Sequence, residues 1–476
     1  MIDGLRPYPE MKPTGLPWLG DVPAHWDVRR IKTLLREVDN RSVSGEERLL
    51  SLRMRQGLVD HLDSGGKPIP PDALVGFRIV EPDQIVMNKM RAAYGLFGVA
   101  NVRGLVSPDY AVFKPMAAAY NRYLVEVFRM PSLARVFRAE SKGLGNGESG
   151  FLRLYTDRFG AISISCPPLD EQRLIVRFLD WHGVQTAKLI RTKRKLIALL
   201  NEQKQAIIHR AVTRGLDPNL KLKPSGVPWI GDVPNGWDVW QIGHLARIGN
   251  GSTPSRSNPA FWNGGTYPWL NSSAANESPV HEADQYVTDL ALRECHLPKV
   301  PAGSVIMAIT GQGKTRGRAA ILPFEATINQ HLVYIDTKNR NLLSPEYLQL
   351  LLVAAYNELR RFSDESGSTR GALTCGDIRH FKIPLPDPQQ QNGLQEAIAN
   401  MTAEIDRSIS AAQREIVLID EFRSRLIADV VTGNLDVRAA AAALPELIEI
   451  EPIDDPIDDE GLDEVTESPE IEEVAA

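Results

Sequence analysis

Short runs of basic and amide side chains beside glycines are the residues in this chain most suited to binding an anionic polymer. The run TGQGKTRGR contains Gln312, Lys314, Arg316 and Arg318. Glycine lets a backbone approach a phosphate closely, and lysine or arginine neutralises its charge. We expect Gln312, Lys314 and Arg316 to contact the phosphates of such a polymer, with Arg318 beside them.

Three further segments carry side chains that could read base edges. Such readers are polar or basic residues on loops, because they must offer paired donors and acceptors in a groove. The candidates come from NKMRAAYG, from the residues that follow the aromatic pair PW, and from GSTRGAL. They are Lys89, Arg91, Tyr94, Asn271, Ser272, Ser273 and Arg370.

The sequence motifs that could indicate catalysis are incomplete. GQGKT resembles the end of a phosphate-binding loop, but Ala308 stands where that loop needs glycine. The histidines show no HExxH or HxxxH spacing, so we expect neither a metal site nor a cofactor. Pro108-Asp109 followed by Glu140-Ser141-Lys142 fits the loose carboxylate-and-lysine pattern of magnesium-dependent nucleases. A stand-alone DNA nuclease therefore stays open as an alternative.

The charge of the chain is unevenly distributed. The net charge is -6, but residues 439–476 hold 14 acidic residues and no Lys or Arg. Residues 1–438 are therefore basic, with 54 basic against 46 acidic side chains. A basic body suits a phosphate backbone, whereas an acidic, proline-containing tail cannot bury enough apolar surface to fold. We predict a disordered tail over 436–476.

The chain repeats itself, and the repeats reveal the elements that must position these residues. GLPWLGDVPAHWDVRRI over 15–31 and GVPWIGDVPNGWDVWQI over 226–242 share eleven of seventeen positions. We call these the opening motifs. Their tryptophans, Trp18 with Trp229 and Trp26 with Trp237, are predicted to be buried anchors.

A second repeat predicts two long helices. Residues 170–217 match residues 388–436, and both segments follow a proline-rich stop. In the second copy, apolar residues recur at steps of three and four, which is typical of one helical stripe. The stripe comprises Leu394, Ile398, Met401, Ile405, Ile409, Ala412, Ile416, Ile419, Phe422, Leu426 and Val430. Because each stripe needs a partner, the two helices are predicted to pair as an antiparallel coiled coil.

The segment before each helix has short β-like runs and helical stretches between glycines and prolines, which predicts an α+β globule. The predicted organisation is two pseudo-repeated globular domains, each followed by a long helix. Its bounds are 1–169 for the first globule, 170–215 for the first helix, 216–387 for the second globule, 388–435 for the second helix and 436–476 for the tail.

This layout resembles the specificity subunit of type I restriction-modification systems. The residues that carry the resemblance are the two opening motifs and several further segments. These are QIVMNKMRAAYGLFGVA from Gln84, VSPDYAVFKP from Val106, PPLDEQRLI from Pro167, GNGSTPSRSNPAFWNGGTYPWLNSS from Gly249, GSTRGAL from Gly367 and IPLPDPQQQ from Ile383. One departure is that Pro388-Gln389-Gln390 stands near the position where the first copy has Asp170-Glu171-Gln172.

The resemblance implies that each globule is a target-recognition domain for one half of a bipartite site in double-stranded DNA. It also implies that the helices fix the gap and dock two adenine-N6 methyltransferase subunits, with two ATP-dependent restriction subunits as further partners. The family subunit has no catalytic centre. With no signal pattern and no long apolar run, we expect a cytoplasmic protein without a membrane span. A coiled-coil adaptor without DNA affinity is the third alternative.

Overall fold

The computed structural model describes residues 5–54, 56–144, 151–311, 314–365 and 371–445. Contacts divide the chain into two compact units, residues 1–191 with 416–476 and residues 192–415. We call them the first and the second unit. They do not follow the predicted consecutive segments, because each unit combines one globule with parts of both long helices.

The first half of the chain forms short strands and helices that end in one long helix. The strands are β1 Met11–Pro13, β2 Asp21–Pro23, β3 Asp27–Arg30, β4 Leu35–Val38, β5 Leu50–Arg53, β6 Gly57–Asp60, β7 Arg78–Val80, β8 Ile85–Asn88, β9 Phe97–Val99, β10 Gly104–Val106, β11 Tyr110–Pro115, β12 Lys142–Leu144, β13 Phe151–Arg153 and β14 Ser163–Cys166. The helices are α1 Pro71–Leu74, α2 Asn121–Phe128, α3 Pro131–Glu140, α4 Thr156–Ala161 and α5 Leu169–Arg214.

The second half opens with similar short strands and also ends in a long helix, but it has fewer described strands. Its strands are β15 Leu222–Pro224, β16 Asp232–Pro234, β17 Asp238–Gln241, β18 Ala246–Asn250, β19 Tyr267–Leu270, β20 Gln285–Val287, β21 Ser304–Ala308, β22 Ala319–Leu322, β23 Thr327–Ile328, β24 Leu332–Thr337 and β25 Lys382–Leu385. Its helices are α6 Ile242–Leu245, α7 Asp289–Glu294, α8 Pro345–Ala354, α9 Tyr356–Glu365, α10 Cys375–His380, α11 Pro388–Val431 and α12 Arg438–Ala443.

Each globule is built on a four-stranded antiparallel sheet. The strand order is β4-β11-β8-β9 in the first unit and β18-β24-β21-β22 in the second. In both, the strand after the opening tryptophan pairs with the strand that leads into the long helix, β3 with β14 and β17 with β25. The repeated α+β architecture and the two long helices are therefore confirmed, with α5 and α11 spanning 46 and 44 residues.

Each opening motif anchors its globule to the first turn of the following helix. Trp26 is fully buried, and its indole N–H donates to the Glu171 carboxylate at 3.0 Å. Trp237 is 3% exposed and donates to the Gln390 side chain at 3.0 Å. Glu171 therefore corresponds to Gln390. The alignment of the two helix starts given in the sequence analysis must be shifted by one residue. Burial is confirmed for the anchors Trp26 and Trp237, whereas Trp18 and Trp229 are only half-buried.

Each globule also packs against the end of the other long helix. Val430 and Val431 of α11 lie in the core of the first unit, and Ala211 and Val212 of α5 lie in the core of the second. A glycine follows each helix end with positive φ. For Gly433, with a φ of 81°, an added Cβ would lie 2.3 Å from Pro23, which leaves no room for a side chain.

The predicted tail begins too early. Residues 436–445 are ordered, because Val437 and Ala441 are fully buried in the core of the first unit. The Arg177 guanidinium donates to the Leu444 carbonyl at 2.5 Å. Only the part of the predicted tail over 446–476 lies outside the described residues.

The predicted apolar stripe of α11 is wrong at two positions. Met401 and Phe422 are 51% and 43% exposed, whereas Thr402 is 4% exposed. Positions 401 and 402 continue the steps from 398 to 405 equally well, with steps of three and four in either order, so the spacing alone could not decide between methionine and threonine.

Candidate nucleic-acid interface

Lys89, Arg91 and Tyr94 lie together where β8 ends and a 3₁₀ turn over Ala92–Tyr94 begins. The Asn88 side-chain oxygen accepts the backbone N–H groups of Met90 and Arg91 at 3.0 and 3.1 Å, which fixes this corner. Tyr94 is 62% exposed, while Lys89 and Arg91 are half-buried. The sequence thus identified three neighbouring side chains at one corner of the sheet.

Lys89 lies in a crowded cationic environment. Burial lowers the pKa of its ammonium group, and the guanidinium groups of Arg78 and Arg153 lower it further. The carboxylates of Glu37 and Asp109 act in the opposite direction. Arg78 is 6% exposed, and its Nε donates to the Pro108 carbonyl at 3.2 Å. A ligand with negative charge or hydrogen-bond acceptors would offset the repulsion between Lys89 and the two arginines.

The acidic residues of the nuclease alternative form ion pairs with arginines. The Asp109 carboxylate accepts the Arg153 guanidinium at 2.7 Å, and Glu140 lies 3.6 Å from Arg158. Lys142 is the register partner of Arg153 across β12 and β13. Within the described residues, no three His, Cys, Asp or Glu side chains group as a potential metal site.

In the second unit, Asn271 caps a 3₁₀ helix over Ser272–Asn276. Its side-chain oxygen accepts the backbone N–H of Ser273 at 2.8 Å and also the Ser273 hydroxyl at 2.5 Å. Asn271 and Ser272 are half-buried and Ser273 is exposed. The oxygen of Asn271 thus has a local role in the chain, and its contact with DNA stays a prediction.

The structure contradicts the expected phosphate contact of Arg316. This residue is 3% exposed, donates to the Gly371 carbonyl at 2.7 Å and forms an ion pair with Asp364. The tight turn after Lys314 directs the arginine inward, where it joins the loop to the segment after α9. Arg316 is therefore withdrawn as a DNA contact.

Lys314 is exposed, and its carbonyl accepts the Tyr356 hydroxyl at 2.8 Å. Arg318 is also exposed and donates to the Asn276 carbonyl at 3.3 Å. The remaining candidates, Gln312 and Arg370, lie outside the described residues. The basic run in TGQGKTRGR thus combines exposed cations with a buried structural arginine.

Lys314→Ala and Arg316→Ala are expected to have different effects. Lys314→Ala should flatten the salt dependence of DNA binding by roughly one unit, as expected for one lost phosphate contact, and leave thermal stability unchanged. Arg316→Ala should instead destabilise the second unit by about 2–3 kcal/mol, because two charge-assisted hydrogen bonds are lost. Binding titrations at several salt concentrations and thermal unfolding measure both effects. Equal salt slopes for Lys314→Ala and the parent would remove Lys314 from the interface.

The sequence interpretation missed two arrangements. Asp109 fixes Arg153, whose guanidinium carbon lies 5.7 Å from the centre of the Tyr155 ring. Arg256 stacks on Trp262, with 4.0 Å from its guanidinium carbon to the ring centre. The sequence did contain a signal for the stacking of Arg256, since an arginine precedes two tryptophans in GNGSTPSRSNPAFWNGGTYPWL. The first depends on residues 44 positions apart, which no local pattern connects.

The chain is similar to several known proteins. Residues 234–418 match the family model described as "Type I restriction modification DNA specificity domain". The specificity subunit of the Escherichia coli type I restriction enzyme EcoR124I/EcoR124II is 23% identical over 263 residues, which cover 54% of this chain and 59% of that protein. The MjaIX specificity subunit of Methanocaldococcus jannaschii is 25% identical over 212 residues, covering 41% and 44%. These two matches span less than two thirds of the relatives' length.

A longer match is the putative MjaX specificity subunit of Methanocaldococcus jannaschii, 21% identical over 434 residues that cover 88% of this chain and 96% of that protein. A solved structure from a study of complex assembly and conformational transition of the type I R-M system has a TM-score of 0.59 at 14% identity, covering 87% of this chain and 99% of that chain. That likeness shows a shared fold. Together, the comparisons agree with the resemblance that the sequence motifs carry: the chain is similar to specificity subunits of type I restriction enzymes, in one case over 88% of its length.

Proposed function

We propose that this chain is the DNA-specificity subunit of a type I restriction-modification complex. Each globule reads one half of a bipartite site in double-stranded DNA, and the paired long helices fix the gap. The observation that carries the proposal is the repeated anchor, in which Trp26 and Trp237 bind the first turns of α5 and α11. Two similar globules on two long helices suit two half-sites, and their different loops suit different bases.

Pairing of the helices as an antiparallel coiled coil is supported by ion pairs in the second unit. Lys204 Nζ lies 2.6 Å from the Asp406 carboxylate, and Lys193 pairs with Glu415. As residue numbers rise along α5, those of the partners fall along α11, which is the antiparallel direction. Ile405 and Ala412 of α11 are buried, as the inner face of such a pair requires.

A zero-length carbodiimide is expected to join Lys204 to Asp406, because this reagent links amines to carboxylates already in contact. Peptide mass spectrometry should identify the linked peptides in the full chain. Lys204→Arg is the matched control, since it keeps the charge but lacks the reactive amine. Loss of the cross-link in this variant supports the pairing, whereas no Lys204–Asp406 link in the parent chain would contradict it.

The proposed partners are two adenine-N6 methyltransferase subunits and two ATP-dependent restriction subunits. Exposed apolar side chains on the long helices support docking there, because several such side chains on one helix face form a patch typical of an interaction site. On α5 they include Leu189, Leu196 and Leu199, which are 45%, 42% and 54% exposed. We propose that the subunits supply the chemistry and that this chain supplies sequence choice in the cytoplasm. No helix among the described residues is long and apolar enough to cross a membrane.

The nuclease alternative makes a different prediction. If Asp109 and Lys142 served hydrolysis, the purified chain with Mg²⁺ would cut DNA, and Asp109→Ala would abolish the cleavage. We expect no cleavage by the chain alone, because Asp109 is held by Arg153.

The proposal is tested by selecting from a randomised duplex library with the chain bound to its methyltransferase subunits. The bound fraction should contain two short sequence blocks separated by unspecified bases. Binding without any sequence preference would contradict the proposal, and absence of DNA binding would favour the adaptor alternative.

A further inference from the structure

Three segments of the first unit meet at one end of its four-stranded sheet. Tyr110 of β11 is the register partner of Asn88 of β8, so Asp109 and Lys89 leave the paired strands at the same end. The backbone N–H of Leu154, which follows β13, donates to the Lys89 carbonyl at 2.9 Å. Arg153 is thereby placed beside both residues.

Arg153 is held in one orientation. Its Nη2 donates to Asp109 at 2.7 Å, and its guanidinium carbon lies 5.7 Å from the centre of the Tyr155 ring. The side chain is 23% exposed, and its buried Nε has no hydrogen-bond partner. Among the described residues, Nη1 also has no acceptor. The arginine therefore keeps donor capacity in a fixed position.

Lys89 adds an unused ammonium group. It is half-buried, and no described residue accepts a hydrogen bond from its Nζ or forms an ion pair with it. The guanidinium groups of Arg78 and Arg153 face it, while Glu37 and Asp109 are the facing carboxylates. A half-buried cation without an acceptor is costly unless a ligand supplies one.

Double-stranded DNA offers acceptors at its phosphate oxygens and, in the major groove, at adenine N7, thymine O4 and guanine O6 and N7. Among the bases, guanine alone presents two acceptors side by side on this edge, which suits two donors. The ion pair with Asp109 offsets part of the positive charge of Arg153, which weakens its attraction for a phosphate, and it fixes the planar donor group. A fixed planar group suits a base edge, because sequence is read by the geometry of paired hydrogen bonds. The arrangement therefore favours guanine.

We propose that Arg153 and Lys89 read the O6 and N7 edge of a guanine in the half-site of the first globule. Asp109 is the positioning residue that orients Arg153. The inference rests on the proposed function and deepens it, since it names one base and its readers.

The test compares library selections by the parent chain and by Arg153→Ala, each bound to methyltransferase subunits. Arg153→Ala should make one guanine position degenerate and leave the other block unchanged. Affinity for the parent consensus should fall about 5- to 150-fold, the usual discrimination of a bidentate base contact. Lys89→Ala should relax the same position, which keeps the test decisive if loss of Arg153 impairs folding.

A chemical change in the guanine distinguishes a contact with the base from a contact with the phosphate. Replacing it by 7-deazaguanine, which lacks the N7 acceptor, should weaken binding by the parent but not by Arg153→Ala. Asp109→Asn should relax the same position with a smaller loss, and Lys114→Ala, an exposed cation at the other end of β11, should leave the consensus intact.

A uniform loss of affinity for all sequences in Arg153→Ala, with a salt slope reduced by about one unit, would show a phosphate contact and overturn the proposal. An unchanged consensus in both Arg153→Ala and Lys89→Ala would also overturn it. Failure of the proposed function is distinguishable, because the parent chain itself would then select no two-block consensus.

Discussion

Trp26→Ala is expected to lower the free energy of unfolding of the first unit by about 3–5 kcal/mol. Trp26 is fully buried, and its removal leaves a cavity between the opening motif and both long helices, because Pro23 and Gly433 also meet there. It also takes one donor from the buried Glu171 carboxylate, whose other partners are the Tyr8 hydroxyl at 2.5 Å and His25 Nε2 at 2.8 Å. Calorimetry should show the transition of this unit lowered by on the order of 10 °C.

Trp240→Ala is the matched control for this prediction. Trp240 is 40% exposed, so its truncation should change stability by less than about 1 kcal/mol. A similar small effect for Trp26→Ala would show that the opening motif does not anchor the globule.

Gln391→Ala is expected to destabilise the second unit by about 3 kcal/mol or more. The side chain is 1% exposed and satisfies three backbone groups. Its amide donates to the carbonyls of Leu342 and Pro386 at 2.8 and 3.0 Å, and its oxygen accepts the N–H of Ser344 at 3.0 Å. Alanine leaves all three without this partner, and each unsatisfied buried group costs about 1–3 kcal/mol. Chemical denaturation followed by tryptophan fluorescence measures the loss.

Gln389→Ala serves as the control, because Gln389 lies two residues earlier on α11 and is exposed. Gln172 makes the corresponding bonds in the first unit, to the Ala118 and Pro167 carbonyls and the Tyr120 N–H. Gln172→Ala should therefore destabilise the first unit to a similar extent. Equal stability of Gln391→Ala and Gln389→Ala would contradict the role assigned to this glutamine.

The sequence predicted the elements that repeat or follow a regular period. The identical residues of the opening motifs identified Trp26 and Trp237 as anchors, and apolar steps of three and four identified α11. The hydrogen-bond acceptors of these anchors, Glu171 and Gln390, were not predicted. They lie about 150 residues from the tryptophans, and no local pattern joins the two.

Charge patterns were less informative than apolar patterns. Arg316 and Lys314 look equivalent in the sequence, but one is buried beside Asp364 and the other is exposed. Asp109 resembled a nuclease acid, yet its partner is Arg153. A sequence does not show whether a charged side chain is solvated, forms an ion pair or is available to bind a ligand. Only its neighbours in space distinguish these states.

In the proposed function, the two globules read two half-sites that lie a defined number of base pairs apart. The most direct measurement is the affinity of the assembled complex for duplexes in which the two selected blocks are kept and the gap between them is varied one base pair at a time. We expect a sharp optimum at one gap length, with affinity lower by about tenfold or more two base pairs away, because each base pair shifts and rotates one half-site relative to the other. Affinity that is independent of gap length would contradict the account.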